Sequence, residues 1–355
     1  MADEMQNILK VFGLATFAFW LGIFLTPILT HYLYKYKCWK KTARTKALLG
    51  GEATIFNSLH KEKEVNTPRM GGILIWVITF FVISVLYILA KNFNHSELAQ
   101  KLNFFSRSQT WLPLFTLISA SILGLIDDLL QIKEKGGYMA GGVSLIKRIA
   151  VVALIGAVGA YWFYFKLEKS AVLIPFLGEI NFGLLFIPFF ILMMIALFSG
   201  GVIDGIDGLA GGIMANIFAV MSGIAFFQNQ IDLAAFCAVI TGALLAFLWF
   251  NIPPARFYMG ETGMLGLTTT LTVVAFLTNS SIVLPIIALP LFAASGSDVI
   301  QLISKKFFGK KVFRVAPIHH HFEALGWPSY KVTMRFWVIS IIFAVIGMVI
   351  ILVGK

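Results

Sequence analysis

Three consecutive histidines, His319, His320 and His321, stand in PIHHHFEALGWP, residues 317–328, within a mostly apolar chain. Successive residues lie about 100° apart on a helix and on opposite faces of a strand, so the three cannot all ligate one metal ion. They suit separate hydrogen-bond donors facing a polyanion. Lys305, Lys306, Lys310, Lys311 and Arg314 lead into them, and the segment reads as a cover for phosphate. The competing reading is a solvated basic loop with incidental histidines.

Acidic residues form the second constellation. LGLIDDLLQIKEK (123–135) carries adjacent Asp127 and Asp128, which repel unless a cation or proton sits between them. As solvated residues at a helix C-terminus they would oppose its dipole. GGVIDGIDGLAGG (200–212) spaces Asp204 and Asp207 three apart among glycines. That spacing puts both on one face of a helix start, and glycine admits close backbone approach to a ligand. NIPPARFYMGETGMLG (251–266) brackets Glu261 with Gly260 and Gly263 just before an apolar run. Helix capping explains any one of these acids. Taken together they offer hard oxygen ligands, which suit magnesium or manganese better than zinc. Such an ion, held by few carboxylates, usually also holds substrate phosphates, so the pattern points to phosphoryl chemistry.

The elements that must position these residues are membrane helices. The 355 residues are 59% hydrophobic and 13% charged, with mean hydropathy +0.87, whereas soluble domains are about half apolar and a quarter charged. A bilayer core needs about 20 apolar residues per span. That criterion predicts ten spans, at 8–33, 70–90, 111–126, 147–165, 182–199, 209–227, 232–250, 263–278, 281–303 and 332–353. The fold class expected is therefore an all-α integral membrane protein, one polytopic domain over 1–355. The run Val11–Leu33 is too long for a signal-peptide core and follows Asp3 and Glu4, so it reads as a permanent helix. Cys38 and Cys237 cannot make a disulfide framework.

An even number of spans puts both termini on one side. Segments 34–69, 127–148, 251–262 and 304–335 hold 21 of the 28 Lys and Arg. The positive-inside rule assigns those segments to the cytoplasm and both termini to the outside. Asp127, Asp128, Asp204, Asp207, Glu261 and the histidines then share the inner face. The net charge of +11 is accounted for by topology and anionic lipid, without nucleic acid.

The motifs TPRMGG (67–72), IDD (126–128), DGIDGLAGG (204–212), FYMGETG (257–263) and APIHHHFEALGWP (316–328) occur in that order. In them the chain resembles the phospho-N-acetylmuramoyl-pentapeptide transferase family, a branch of the polyprenyl-phosphate sugar-1-phosphate transferases. The resemblance runs from about residue 60 to 340, and the histidine motif is its specific part. It implies a multi-pass protein of the inner (plasma) membrane with its site facing the cytoplasm. The implied reaction moves phospho-MurNAc-pentapeptide from UDP-MurNAc-pentapeptide to undecaprenyl phosphate. It yields lipid I and UMP, requires Mg2+, and serves peptidoglycan biosynthesis. Carried over by position, Asp127, Asp128, Asp204, His319, His320 and His321 are catalytic, with Asp127 a base or orienter for the lipid phosphate. Asp207, Gly205, Glu323, Thr67 and Lys135 contact substrate, and Glu261 falls where the family has a magnesium-binding Asp. Membrane lipid is a further partner, and a homodimer is compatible with the reading.

The chain departs from the family pattern at four positions. Gly201 replaces an Asn, Glu261 an Asp, Gln131 a Lys and Arg69 a Thr, with Lys133, Lys135, Lys147 or Arg148 as substitutes for the lost Lys. Three other readings compete: a sister transferase using another UDP-linked amino sugar, a ten-span transporter, and an inactive scaffold. A transporter would carry charge near the midplane and repeated halves. This chain has its acids at span ends and no repeat.

Overall fold

The computed structural model describes residues 2–41, 65–106, 108–134 and 142–354. The long helices are α1 (Ala2–Lys35), α2 (Ile73–Asn92), α4 (Trp111–Ile132), α5 (Leu145–Tyr161), α6 (Phe186–Ser199), α7 (Leu209–Phe227), α8 (Ile231–Asn251), α9 (Gly260–Leu277), α11 (Leu289–Phe308) and α13 (Ser329–Val353). Shorter pieces are α3 (Glu97–Leu102), α10 (Leu284–Ile287) and α12 (Ile318–Ala324). A π turn, Trp162–Lys166, extends α5, and an antiparallel hairpin pairs β1 (Ala171–Ile174) with β2 (Gly178–Asn181). This is an all-α integral membrane architecture. Among the described residues nine helical stretches are long and apolar enough to cross a bilayer.

The predicted span 281–303 is the exception, because it is two helices. The helix breaks at Ala288 (φ −106°, ψ 31°), with Pro285 in the first turn of α10 before it and Pro290 in the first turn of α11 after it. Proline is harmless there, since first-turn amides have no intrahelical acceptor. In mid-span Pro290 would leave the Ile286 carbonyl without its donor. The polar run Ser295, Ser297, Asp298, Gln301, Ser304, Lys305 and Lys306 makes α11 amphipathic. The third span also differs from expectation. It runs on to Ile132, so Asp127 and Asp128 lie within α4 and are 1% and 0% exposed.

Helix α9 is the centre of the bundle, and nearly all its side chains are buried. Its threonines are tolerated there because their hydroxyls bond back along the helix. Thr268 donates to Met264 O at 2.7 Å and Thr269 to Leu265 O at 2.7 Å. Helix α4 lies close against α9, since a Cβ at Gly124 would collide with the backbone at Glu261 and would stand 2.6 Å from Thr262 Cα. That approach lets the α4 acids reach the α9 N-terminus. At the other end of the bundle Lys10 Nζ pairs with Asp232 Oδ1 at 2.8 Å and donates to Asn103 O at 3.0 Å.

Candidate active site

The N-terminus of α9 is the hub. The first amides of a helix lack intrahelical acceptors and carry partial positive charge. Here other helices supply the acceptors. Glu261 N donates to Asp128 Oδ1 at 3.1 Å and Thr262 N to Asp128 Oδ2 at 3.0 Å. Gly260 N donates to Asp204 Oδ2 at 3.0 Å. Gly260 has φ +73°, and a Cβ on it would lie 2.6 Å from Asp128 Oδ2, so a side chain is excluded by both backbone and space. Asp128 opposes the dipole of its own helix and is stabilised by that of α9.

Asp127 is fully engaged. Its Oδ1 accepts from Val143 N, and its Oδ2 accepts from Gln131 Nε2 at 2.8 Å. Arg148 Nη1, from the first turn of α5, stands 3.6 Å from Asp127 Oδ2 and 2.6 Å from Glu261 Oε1. One buried guanidinium therefore ties the two acids together.

Residues 67–72 close the next side. Tyr258 N donates to Pro68 O at 2.8 Å, Gly71 N to Tyr258 O at 2.8 Å and Gly72 N to Met259 O at 2.9 Å. The Tyr258 hydroxyl, hydrogen-bonded to Thr67, is pushed up to about 12, chiefly by burial. Arg69 Nη1 donates to Gln131 Oε1 at 2.9 Å. Burial raises the Asp204 carboxyl to about 6. The positive charge of Arg69 and the Gly260 amide pull it down, while Glu261 and Asp207 push it up.

The histidines come in on α12. His319 and His320 are buried and turn their Nε2 atoms onto Gly205. A Cβ there would sit 2.6 Å from His320 Nε2 and 2.9 Å from His319 Nε2. The glycine between the two aspartates of DGID is what makes room for both rings. His320 Nδ1 lies 2.7 Å from Glu323 Oε2, and Glu323 Oε1 accepts from Ser329 Oγ at 2.6 Å. With Glu323 ionised, Nδ1 is the donor to it and Nε2 is the nitrogen turned onto the loop. Glu323 thus stands behind His320, where the resemblance implied a substrate contact. His321 faces elsewhere: its Nδ1 accepts from Arg314 N at 3.1 Å, and its ring lies against Phe313.

Asp207 is anchored within the protein. Ala255 N donates to its Oδ2 at 3.4 Å, and Thr333 Oγ1 donates to its carbonyl at 3.1 Å. Gly208 N is held by Asn251 Oδ1 at 3.1 Å, and Gly208 O by Trp337 Nε1 at 3.1 Å. Gly212 is spent on packing, because the indole of Trp337 fills the space of a side chain. Asp127, Asp128, Asp204, Gly205, Glu261, His319 and His320 therefore form one continuous set, with Thr67, Asp207 and Glu323 on its supports. Lys135 lies outside the described residues.

Residues 110–279, which include Asp127, Asp128, Asp204, Gly205 and Glu261, match the model of glycosyl transferase family 4. The chain is 32% identical to the phospho-N-acetylmuramoyl-pentapeptide-transferase of Clostridium perfringens (strain 13 / Type A) over 80% of this chain and 84% of that one. It is 35% identical to that of Pelagibacter ubique (strain HTCC1062), covering 81% of each chain. The enzyme of the same name from Dichelobacter nodosus (strain VCS1703A) is 34% identical over 81% and 80%. The chain belongs to the phospho-N-acetylmuramoyl-pentapeptide transferase family. It is accordingly an enzyme, a transferase.

Members of the phospho-N-acetylmuramoyl-pentapeptide transferase family are expected, from the sequence resemblance, to use magnesium. The donor set here fits such an ion. It is made of carboxylates without cysteine, and Asp204 and Glu261 repel one another across the Gly260 turn, a repulsion that a cation between them would relieve. Among the described residues no three His, Cys, Asp or Glu side chains are gathered so as to hold a metal ion by themselves. Magnesium does not need such a group, since it keeps water and phosphate ligands. The pairing of Glu261 with Arg148 means that a cation there would share the carboxylate with a guanidinium.

Sequence reasoning named Arg148 only as a stand-in and gave Tyr258, Ser329 and Asn251 no part. A charged residue opening an apolar span was the available signal for Arg148. The others are ordinary polar residues whose value comes only from what the fold sets beside them.

Proposed function

We propose that this enzyme transfers phospho-MurNAc-pentapeptide from its UDP carrier to undecaprenyl phosphate at the cytoplasmic face of the membrane. The products are lipid I and UMP. The observation that carries the reading is the pair of imidazole Nε2 atoms set over Gly205, between Asp204 and Asp207, on the side of the Gly260 turn that gathers the acids.

An oxygen of the lipid phosphate attacks the phosphorus that bears the sugar. The bond from that phosphorus to the UMP oxygen breaks, and UMP departs with the electron pair. The attacking phosphate is largely ionised at neutral pH, so no base is required. Asp127 accepts donors on both oxygens, which suits an orienter of Arg148 and residues 142–143 and supports direct attack. His320, held through Nδ1 by Glu323, presents Nε2 to phosphate or to the departing UMP as a donor when protonated. Asp204 and Glu261 would hold magnesium, whose chemistry here is neutralisation of phosphate charge.

The test is UMP release by the purified protein from UDP-MurNAc-pentapeptide with undecaprenyl phosphate, with and without magnesium. UDP-GlcNAc serves as competing donor. Magnesium-dependent release from the muramoyl donor is expected. Turnover of UDP-GlcNAc alone would assign the chain to a sister activity, and solute flux without UMP release to a transporter.

A further inference from the structure

We propose that Arg69 is a positioning residue that acts on Asp127 through the side-chain amide of Gln131, and that the two residues work as one unit. This rests on the transfer reaction proposed above. The backbone around Arg69 is clamped on both sides: Arg69 N donates to Cys38 O at 2.8 Å, and the flanking Pro68 O and Gly71 N both bond Tyr258. From this backbone the side chain extends its guanidinium toward α4. It arrives at Gln131 Oε1, 2.9 Å from Nη1, while Gln131 Nε2 donates to Asp127 Oδ2 at 2.8 Å.

The chemistry of that bridge selects the amide. The amide of Gln offers an acceptor and a donor on one planar group. A Glu at 131 would repel Asp127. A Lys would satisfy Asp127 but present Arg69 with a second cation. The bridge has one sense only, oxygen to the cation and nitrogen to the anion, because Arg cannot accept and a carboxylate cannot donate. Gln131 is 8% exposed, so breaking either end leaves a buried polar group of the amide unpaired. The Arg69 Nε is buried without a hydrogen-bond partner in the protein. This guanidinium is thus placed for its charge and for one directed bond.

The amide carries the influence of Arg69 to Asp127, and Asp127 in turn faces Arg148. A Lys at 131 would bring a positive charge to Asp127 directly and make Arg69 dispensable. The experiment compares wild type, Arg69→Ala, Gln131→Lys and the double variant by UMP release in detergent, with thermal melting of each. Arg69→Ala is expected to lower kcat by about tenfold or more with both KM values moved less than about threefold. The double variant is expected to recover at least half of the lost activity. Full activity in Arg69→Ala overturns the inference, as does a loss that Gln131→Lys fails to restore, whether the loss is of rate or of folding. A wild-type protein that releases no UMP would instead refute the proposed reaction, which separates the two failures.

Discussion

His320 and Asp204 show how a residue's neighbours set its chemistry. His320 owes its orientation to Glu323, which Ser329 holds in turn, and a ring fixed at Nδ1 has its Nε2 aimed without further cost. Replacing His320 with Asn is expected to lower kcat by on the order of 100-fold or more. Glu323→Gln keeps the shape but loses the negative charge behind the ring, and is expected to cost on the order of tenfold. UMP-release kinetics check both, and equal losses would show that Glu323 does more than orient. Asp204 poses the opposite case. Its carboxyl is lifted to about 6 in the fold from about 3.9 in an unfolded chain. The folded state therefore binds the proton more tightly, and stability falls as pH rises from about 4 to 6 and is level above that. Asp204→Asn removes the penalty. In magnesium-free detergent it is expected to melt higher than wild type at pH 7 by on the order of 2 kcal/mol of stability, with the gap closing towards pH 4. A gap that persists at pH 4 would mean the carboxylate is not the source of the cost. The same variant is expected to lose activity, a trade of function against stability.

At the scale of elements, the site exists because α4 and α9 approach closely enough for one helix to cap the other. Gly124 is the point of closest approach. Gly124→Ala forces the helices apart or shifts α9 along its axis, and Asp128 then loses the amides of Glu261 and Thr262. A loss of on the order of 1–3 kcal/mol is expected from overpacking, with activity falling further than stability. Thermal melting and kcat on the same preparation check this, and unchanged activity would separate the cap from the chemistry. Much of this was legible beforehand. The acids at 127, 128, 204, 207 and 261 stood out because carboxylates are costly in apolar text, and all of them meet at or next to one turn. What was not legible is who accepts from whom. Sequence places Asp128 at the end of an apolar run and says nothing of the α9 amides it serves, because that pairing is made 133 positions away. Glu323 likewise reads as part of a polar motif, and only its burial against His320 assigns it a supporting part. The broken helix at Ala288 was half-visible in Pro285 and Pro290, but hydropathy alone joined the two pieces into one span.

At the scale of the whole molecule, the remaining question is which compartment the site faces. The site and the Lys10–Asp232 pair occupy opposite ends of the bundle. Helix α8 runs from Asp232 to Asn251, about 30 Å at 1.5 Å per residue, and Asn251 bonds Gly208 and Phe257 beside the candidate site. The positive-inside rule predicts that the lysine-rich end faces the cytoplasm. Two exposed positions report the two ends: Asn94, in the turn after α2, and Lys310, in the loop after α11. With Cys38 changed to Ser and Cys237 buried, Asn94→Cys is expected to react with a membrane-impermeant maleimide applied to intact cells. Lys310→Cys is expected to react only after permeabilisation. The converse labelling would turn the site outward, away from any cytoplasmic nucleotide-linked donor. In the proposed reaction a nucleotide donor on the inner side and a lipid acceptor within the bilayer can meet only where a polar set stands at the inner ends of the helices. The labelling pattern therefore tests the reaction's geometry as directly as it tests the topology.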